Sequence, residues 1–369
     1  MSTEHSKCPV CGAEIKYNPT SGNMKCEYCD SEFNPEDIFK ENDSDDMNSS
    51  QEFILEEHEK TDVSFSDADS STDETEGTLV TYKCSFCGAE VVTAEDTSAT
   101  FCVYCHRPLV IDSQLSGEFK PKLLIPFETT KDDAIEAFKK YTKGKWLLPT
   151  KFHEEVVVQK IMGVYIPFWL LDCFVYGSIE GEGDKVKRWS TSTHNYKKTD
   201  TYRIRRSGEL KFNNIPADAS KKVDDAIMDS IEPFDFNKIR DFNKGYLNGF
   251  LAQKYDLRPE DVKDRFENRA RTSFIEKLEG TCGYNGGIRI HSQRFAFKSE
   301  EYKYALLPVW LLYTEYKGEF YPFAMNGQSG KFIGNLPIDK TKTVIHGAAS
   351  SVVGFLLGTF FIFLTGGFF

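Results

Sequence analysis

The pattern of hydrophobic and polar positions between residues 118 and 342 predicts a mixed helical and stranded body. Apolar side chains recur at helical spacing in residues 131–140, directly after Thr129 and Thr130, which predicts a capped amphipathic helix. Further helices are predicted over residues 221–231 and 259–278. Strands are predicted over residues 156–176, 288–297, 302–316, 319–325 and 331–334, with an exposed antiparallel hairpin over 184–212. We therefore expect an α+β body with antiparallel sheets.

Two short sequence features bear on how these strands are arranged. The residues IPFWLL at 166–171 are echoed by LPVWLL at 307–312, which two equivalent strands of a pseudo-repeated sheet would explain, although coincidence would also produce it. Asn326-Gly327 lies between two predicted strands and favours a tight hairpin turn.

Residues 344–369 contain no Asp, Glu, Lys or Arg. A helix of about 20 residues is sufficient to cross a bilayer, and the absence of a polar stripe argues against a buried core helix. We expect a membrane-spanning tail anchor over residues 343–369. Because Lys331, Lys340 and Lys342 precede it, the positive-inside rule places the N-terminal bulk in the cytoplasm of a single-pass cell-membrane protein.

Eight of the ten cysteines follow one repeated spacing, Cys-x2-Cys-x14-Cys-x2-Cys. The first copy holds Cys8, Cys11, Cys26 and Cys29, and the second holds Cys84, Cys87, Cys102 and Cys105. Four thiolates from two tight turns suit tetrahedral Zn²⁺ and leave no coordination position for a substrate. We expect two zinc ribbons, over residues 1–40 and 81–117, and two structural zinc ions.

The alternatives for these cysteines are disulfides and an iron–sulfur or redox pair. The first residues lack an apolar signal segment, so a reducing compartment and metal ligands are favoured over disulfides. Two identical closed sets argue against redox chemistry. Cys173 and Cys282 have no partner at ligand spacing and are interpreted as a core residue and an incidental one.

The formal net charge of −12 is concentrated in one segment. Residues 41–76 contain 14 acidic residues and a single lysine, and the remainder of the chain is close to neutral. Such a composition predicts a disordered linker, over residues 41–80, that tethers the ribbons and holds the first ribbon away from an anionic membrane. It is either an inert spacer or, through its apolar residues 53–55, a segment that folds on a partner.

A basic stretch lies in the predicted exposed hairpin, with aromatic residues interleaved. Its cations are opposed only by Asp200, and they form a candidate contact for an anionic surface. They are Lys185, Lys187, Arg188, Lys197, Lys198, Arg203, Arg205 and Arg206. A solvated face, docking of the acidic linker, lipid headgroups, a partner protein and single-stranded nucleic acid are all compatible with this pattern.

The sequence favours a protein that is not an enzyme. It contains no Gly-x-Ser-x-Gly, no Gly-x-Gly-x-x-Gly and no pair of histidines at metal-ligand spacing on a helix. Residues 326–331 superficially resemble a phosphate-binding loop, but they lack its Gly-Lys-Ser/Thr register and are interpreted as a hairpin turn.

The chain resembles bacterial membrane-anchored proteins with two TFIIB-type zinc ribbons, whose genes lie near SPFH (stomatin/flotillin-like) and PspA-like membrane-stress proteins. The matching residues are the two cysteine sets, segments 163–169, 307–310 and 323–331, and the Gly-rich hydrophobic end. The resemblance implies a membrane adaptor that recruits a protein partner, an SPFH-type protein. Members of that family are also labelled helicase-like or transcription-factor-like, so the alternative is a membrane-tethered nucleic-acid-binding protein.

Overall fold

A computed structural model of the chain describes residues 7–38, 79–83, 90–94, 97–101, 108–111, 120–149, 152, 161–317 and 319–364. At its N-terminal end lies a small antiparallel sheet in the order β1-β2-β3. Its elements are β1 (Ile15–Asn18), β2 (Asn23–Cys26), β3 (Glu32–Phe33) and the short helix α1 (Pro35–Ile38). Most of the predicted acidic linker, 41–80, lies outside the described residues. The second set of four cysteines also lies outside them.

The next strands repeat part of the pairing of the predicted first ribbon at an offset of 76 residues. They are β4 (Leu79–Lys83), β5 (Glu90–Ala94), β6 (Thr97–Phe101) and β7 (Pro108–Val110). Lys25 pairs with Glu32 in the first sheet, and Phe101 pairs with Pro108 at the equivalent register. The isolated bridge between Lys7 and Glu14 likewise corresponds to the pairing of Lys83 with Glu90. Two pairings of the predicted first ribbon thus recur in the described strands, whereas β5 and β6, the equivalents of β1 and β2, lie in different sheets.

The body is built on a ten-stranded sheet that includes β6 and β7. Its main path runs β11-β8-β13-β9-β12-β6-β7, with β10 also paired to β9, β14 to β13, and β15 to β14. The elements are β8 (Leu123–Leu124), α2 (Lys131–Thr142), β9 (Met162–Ser190), β10 (Asn195–Asp218), α3 (Asp225–Ile231), β11 (Arg240–Asp241), β12 (Leu251–Gln253), α4 (Lys263–Gly280), β13 (Ile288–Tyr316), β14 (Glu319–Asn326), β15 (Phe332–Gly334) and α5 (Lys340–Leu364). The α+β class with antiparallel pairing is as predicted.

Two halves of the body follow the same order of elements. β8, α2, β9 and β10 are matched later in the chain by β12, α4, β13 and β14. β8 pairs in parallel with β13 and β12 pairs in parallel with β9, so each half lends its short first strand to the other. β9 and β13 are antiparallel, with Ile166 opposite Leu307. The echo of 166–171 at 307–312 thus marks equivalent central strands of a pseudo-repeated sheet.

The central strands β9 and β13 are covered on both faces around residues 164–171 and their partners in β13. One core cluster contains Tyr165 and Leu171 with residues of α2 and α4, and the second contains Val164 and Phe168 with residues of α3. Strands buried on both faces read as continuous apolar runs, which explains the composition of residues 164–171.

The largest differences from the predicted elements lie in strand length. The two strands predicted at 288–297 and 302–316 are one strand, β13, with a register shift between Lys298 and Glu301. β9 extends to Ser190 and forms the hairpin with β10, so the hairpin is longer than residues 184–212. Pairing with neighbouring strands carries these segments through polar stretches that local patterning assigns to separate elements.

The first ribbon is packed against the body. The ring of Tyr17 lies 5.1 Å from that of Tyr246 and 6.4 Å from that of Phe250, and its hydroxyl donates a 3.4 Å hydrogen bond to the Phe127 carbonyl. The Tyr17 amide donates to the carbonyl of Asn248 at 3.1 Å. The linker is therefore not the only connection of this segment to the rest of the chain, because a buried aromatic contact also fixes it to the body.

Candidate metal centre and charged hairpin

The first cysteine set converges on one point. The Sγ atoms of Cys8, Cys11, Cys26 and Cys29 all lie within 4.8 Å of one another. Cys8 and Cys29 are 3.5 Å apart, and Cys11 and Cys26 are 3.6 Å apart. Thiolates bound to one tetrahedral ion at metal–sulfur lengths of about 2.3 Å are separated by about 3.8 Å. The donor set therefore fits a four-coordinate metal ion, and these residues could hold one.

Two similar backbone turns present the thiols. Gly12 follows the second cysteine of the first pair with φ of 73°, and Asp30 follows the second cysteine of the other pair with φ of 54°. The Cys8 amide donates to the Ala13 carbonyl at 2.7 Å, and at the equivalent position the Cys26 amide donates to the Ser31 carbonyl at 3.0 Å. The left-handed residue turns the chain back after each pair, which favours glycine at the first turn.

The protonation of the thiols is uneven. Hydrogen bonding by the Ser31 hydroxyl and backbone lowers the pKa of Cys29 to about 6. At Cys11 the Ala13 backbone lowers the pKa, but desolvation and the neighbouring thiols outweigh it and raise the value to about 12. Because a metal ligand must be a thiolate, binding at this centre releases protons and strengthens as pH rises.

The two other described cysteines, Cys173 and Cys282, do not join this centre. Cys173 is buried in β9, where desolvation raises the pKa of its thiol to about 11, and Cys282 is buried just after α4. Cys84, Cys87, Cys102 and Cys105 lie outside the described residues. Among the described residues, the first set is the one cluster of His, Cys, Asp or Glu side chains with metal-binding geometry.

The predicted basic stretch forms the free end of the β9–β10 hairpin. Pairing of β13 with β9 reaches as far as Ile288 opposite Gly183, and β9 and β10 continue beyond it as a two-stranded ribbon. Near its end, the exposed rings of Trp189 and Tyr196 stack at 5.4 Å with planes inclined by 9°. The exposure of this basic and aromatic hairpin end is as predicted from the sequence pattern.

The eight basic residues do not form one surface. Side chains alternate between the two faces along each strand, and paired residues share a face. The register of β9 and β10 therefore places four of the basic residues on the face that carries Trp189 and Tyr196, and the other four on the opposite face. The first face carries Lys185, Lys187, Lys198 and Arg206, and the second carries Arg188, Lys197, Arg203 and Arg205.

Several of these charges are already compensated. Glu180 Oε1 lies 3.1 Å from Arg205, and Glu180 Oε2 lies 4.0 Å from Arg203, while Asp200 lies 3.1 Å from Lys198. Lys185 instead lies over the ring of Tyr202 at 5.7 Å. In the part of the chain that the structure describes, three basic residues of the hairpin end form no ion pair. These are Lys187, Arg188 and Lys197.

The segment around Asn326-Gly327 is the predicted hairpin turn between β14 and β15. Buried hydrogen bonds of the Asn326 side chain hold it in place. The Asn326 side chain donates to the carbonyls of Ile231 and Pro233 at 3.1 and 3.2 Å. It accepts from the amides of Gln328 and Ser329 at 2.9 and 3.0 Å. These bonds assign the segment a structural role, because its polar atoms are used to fasten the turn to the end of α3.

The C-terminal helix α5 contains a stretch, Lys340–Ile362, that is long and apolar enough to cross a membrane. None of that stretch is buried inside the molecule. Sequence reasoning found this helix but missed the residues that meet its base. Trp146 lies 6.0 Å from His346 between ring centroids, and an exposed Trp in a lysine-rich loop was the available signal.

Comparison with known proteins adds a relative but no description of function. No family model matches the chain, and no solved structure matches it. The chain is similar to the uncharacterized protein YdjG of Bacillus subtilis (strain 168), with 28% identity over 336 residues that cover 91% of each chain.

Proposed function

We propose that the protein is a non-enzymatic membrane adaptor that uses a zinc ribbon to recruit a protein partner to the cytoplasmic face of the cell membrane. Support comes from a four-thiol centre with no open coordination position and from an exposed apolar helix at the other end of the chain. We propose Zn²⁺ in this centre and a second Zn²⁺ in the repeated ribbon. The sequence resemblance suggests an SPFH-type partner.

The observation that carries the proposal is a pair of apolar side chains on the metal-binding turns. Val10 lies between Cys8 and Cys11 and is 67% exposed, and Tyr28 lies between Cys26 and Cys29 and is 82% exposed. Neither side chain contributes to the buried core of the ribbon. Because the four thiols meet at one ion, the two turns are neighbours and offer one apolar contact surface.

The ribbon also has the rigidity that an adaptor surface needs. Its Ile15, Tyr17 and Met24 are buried in the same core cluster as the body. A partner bound at Val10 and Tyr28 would therefore be held at a defined position relative to α5.

The test is a membrane-recruitment assay with an SPFH-type protein and the full-length chain carrying Val10→Ser and Tyr28→Ser. We expect the partner to move to the soluble fraction while this protein stays in the membrane and retains about two zinc ions. Trp189→Ser at the hairpin end is the matched control, because it removes an exposed aromatic ring away from the ribbon. Retention of the partner by the double variant would refute the proposal.

A specific observation supports nucleic acid as a second candidate partner. Lys187 lies on the same face of the hairpin as the exposed Trp189 and Tyr196, and Arg188 and Lys197 add positive charge on the other face. Basic residues together with exposed aromatic rings are the combination used in single-strand binding. Binding of single-stranded DNA that falls steeply with salt and with Lys187→Ala and Lys197→Ala would favour this function. Absence of such binding would exclude it.

A further inference from the structure

The loop over residues 143–149 is fastened to the first turns of α5. The Asp339 amide donates to the Leu147 carbonyl at 2.8 Å, and Lys342 Nζ donates to the Leu148 carbonyl at 2.7 Å. Trp146 and His346 stack with ring planes inclined by 29°. Three contacts along one loop fix its position relative to the apolar helix.

The loop nevertheless leaves its most apolar side chain outside the core. Trp146 is 76% exposed, although Leu148, two residues later, is buried among the residues of the body. The described neighbours of Trp146 cover one face of its ring with His346 and leave the rest uncovered. Tryptophan with one wet edge and one apolar body concentrates at membrane–water interfaces.

The helix sets the depth of this tryptophan. The charge-free part of the sequence begins at Val344, directly after Lys340 and Lys342, and exceeds the about 20 residues that cross a bilayer. If the helix spans the bilayer, these two lysines stay on the headgroup side of the hydrocarbon. His346 lies about 6 Å beyond Lys342 along the axis, so Trp146 lies at the level of the interface.

The charges around the loop match an anionic leaflet. Lys139, Lys140, Lys143 and Lys145 are exposed, and no acidic residue occurs between positions 137 and 149. Lys340 and Lys342 add two cations at the start of α5, where Asp339 accepts hydrogen bonds from the Thr341 and Lys342 amides. Basic residues next to a membrane helix bind anionic headgroups.

We propose that residues 143–147 form a second membrane contact, with Trp146 at the boundary of the hydrocarbon and the lysines on anionic lipid headgroups. This inference rests on the proposed membrane anchoring by α5. The contact clamps the body against the bilayer, so that the protein does not swing on a single helix.

The lysine-rich loop next to α5 and the basic end of the β9–β10 hairpin lie far apart in the molecule. Phe152 packs on Tyr316 and Tyr321, at the end of β13 where β9 begins. The end of the β9–β10 hairpin lies at the opposite end of β9, a strand of 29 residues with a contour of about 95 Å. The lipid contact is therefore assigned to the loop next to α5, and the hairpin end remains for a partner.

The test measures quenching of tryptophan fluorescence by lipids brominated near the carbonyl, with the full-length chain in vesicles of neutral and anionic lipid. Of the four tryptophans, Trp169 and Trp310 are buried, so Trp146 and Trp189 are the exposed reporters. We expect Trp146→Phe to lose most of the quenching and the matched Trp189→Phe to retain it. Equal quenching in the two variants would overturn the proposal.

A charge variant tests the headgroup contact. Lys143→Glu with Lys145→Glu should lose quenching in anionic vesicles more than in neutral ones, whereas Lys187→Glu with Lys197→Glu at the hairpin end should not. Quenching of Trp146 that depends on the density of protein in the bilayer rather than on lipid charge would indicate that a second copy of this chain covers Trp146. That result would overturn the proposal.

Carbonate extraction separates this inference from the proposed function. A chain released by carbonate would refute anchoring by α5, and with it both proposals. A chain that stays in the membrane but shows no quenching of Trp146 would refute the loop contact alone.

Discussion

At the scale of single residues, Asp218 has the most unusual environment in the body. It is fully buried, and Arg265 Nη2 donates to its Oδ1 at 2.9 Å while Oδ2 has no hydrogen-bond partner. The same arginine pairs with Asp225 at 3.1 Å and Asp229 at 2.9 Å. Desolvation by burial outweighs the attraction of Arg265 and raises the pKa of Asp218 to about 6.

This carboxyl makes stability depend on pH with a definite sign. Its folded-state pKa lies above its unfolded value, so the folded state binds the proton more tightly and the free energy of unfolding falls as pH rises from about 4 to 6. Asp218→Asn should remove this contribution. Between pH 4 and 6, the free energy of unfolding of the variant should therefore rise relative to that of the wild type by roughly 2–3 kcal/mol. Denaturant unfolding of the detergent-solubilised chain at several pH values measures it.

The matched control is Asp229→Asn, on the more exposed side of the same arginine. It should leave the difference between pH 4 and 6 close to that of the wild type. Parallel pH profiles for Asp218→Asn and the wild type would show that the buried carboxyl does not titrate in this range.

At the scale of elements, the packing of α4 on the long strands depends on small residues in β9. A Cβ at Gly177 would lie 2.8 Å from the Phe274 ring and 2.9 Å from the Arg294 carbonyl oxygen. A Cβ at Gly208, opposite Gly177 on β10, would meet only Leu278, at an ordinary 3.5 Å. The two glycines share a face but differ in how closely the helix and strand approach them.

Gly177→Ala should therefore destabilise the body, by roughly 1–3 kcal/mol as in other overpacked cores. The methyl group would force the Phe274 ring and the β13 backbone apart. Gly208→Ala is the control and should change the free energy of unfolding much less. Equal midpoints of denaturation for the two variants would contradict the close approach at Gly177.

At the scale of the whole molecule, the candidate metal centre is connected to the body through the docked segment, residues 7–38, that carries it. Tyr17 leaves the ribbon to pack on Tyr246 and Phe250, and the ribbon is too small to fold by its own core. Removal of the metal should unfold the ribbon and expose residues 244–250 of the body.

Hydrogen exchange with and without a strong chelator tests this coupling. Protection should fall at the Tyr17 amide, which donates to the Asn248 carbonyl, and at residues 244–250, which Tyr17 covers. It should persist in α4, which packs on the long strands. Unchanged exchange at 244–250 would mean that the ribbon stays docked without metal.

Much of this architecture follows from the sequence because its causes are local. Ligand spacing identified Cys8, Cys11, Cys26 and Cys29, uninterrupted hydrophobicity identified α5, and helical periodicity with a Thr130 cap identified α2. Each of these signals depends on residues close together in the chain.

Only the tertiary structure decided the features that join distant residues. It merged the strands of β13, docked the first ribbon through Tyr17, compensated Arg203 and Arg205 with Glu180, and brought Trp146 to His346. Pairing and packing between residues that are distant in the sequence leave no periodic trace in it. The sequence thus determined which chemical groups the protein carries, and long-range contacts decided which of them remain free to meet a membrane or a partner.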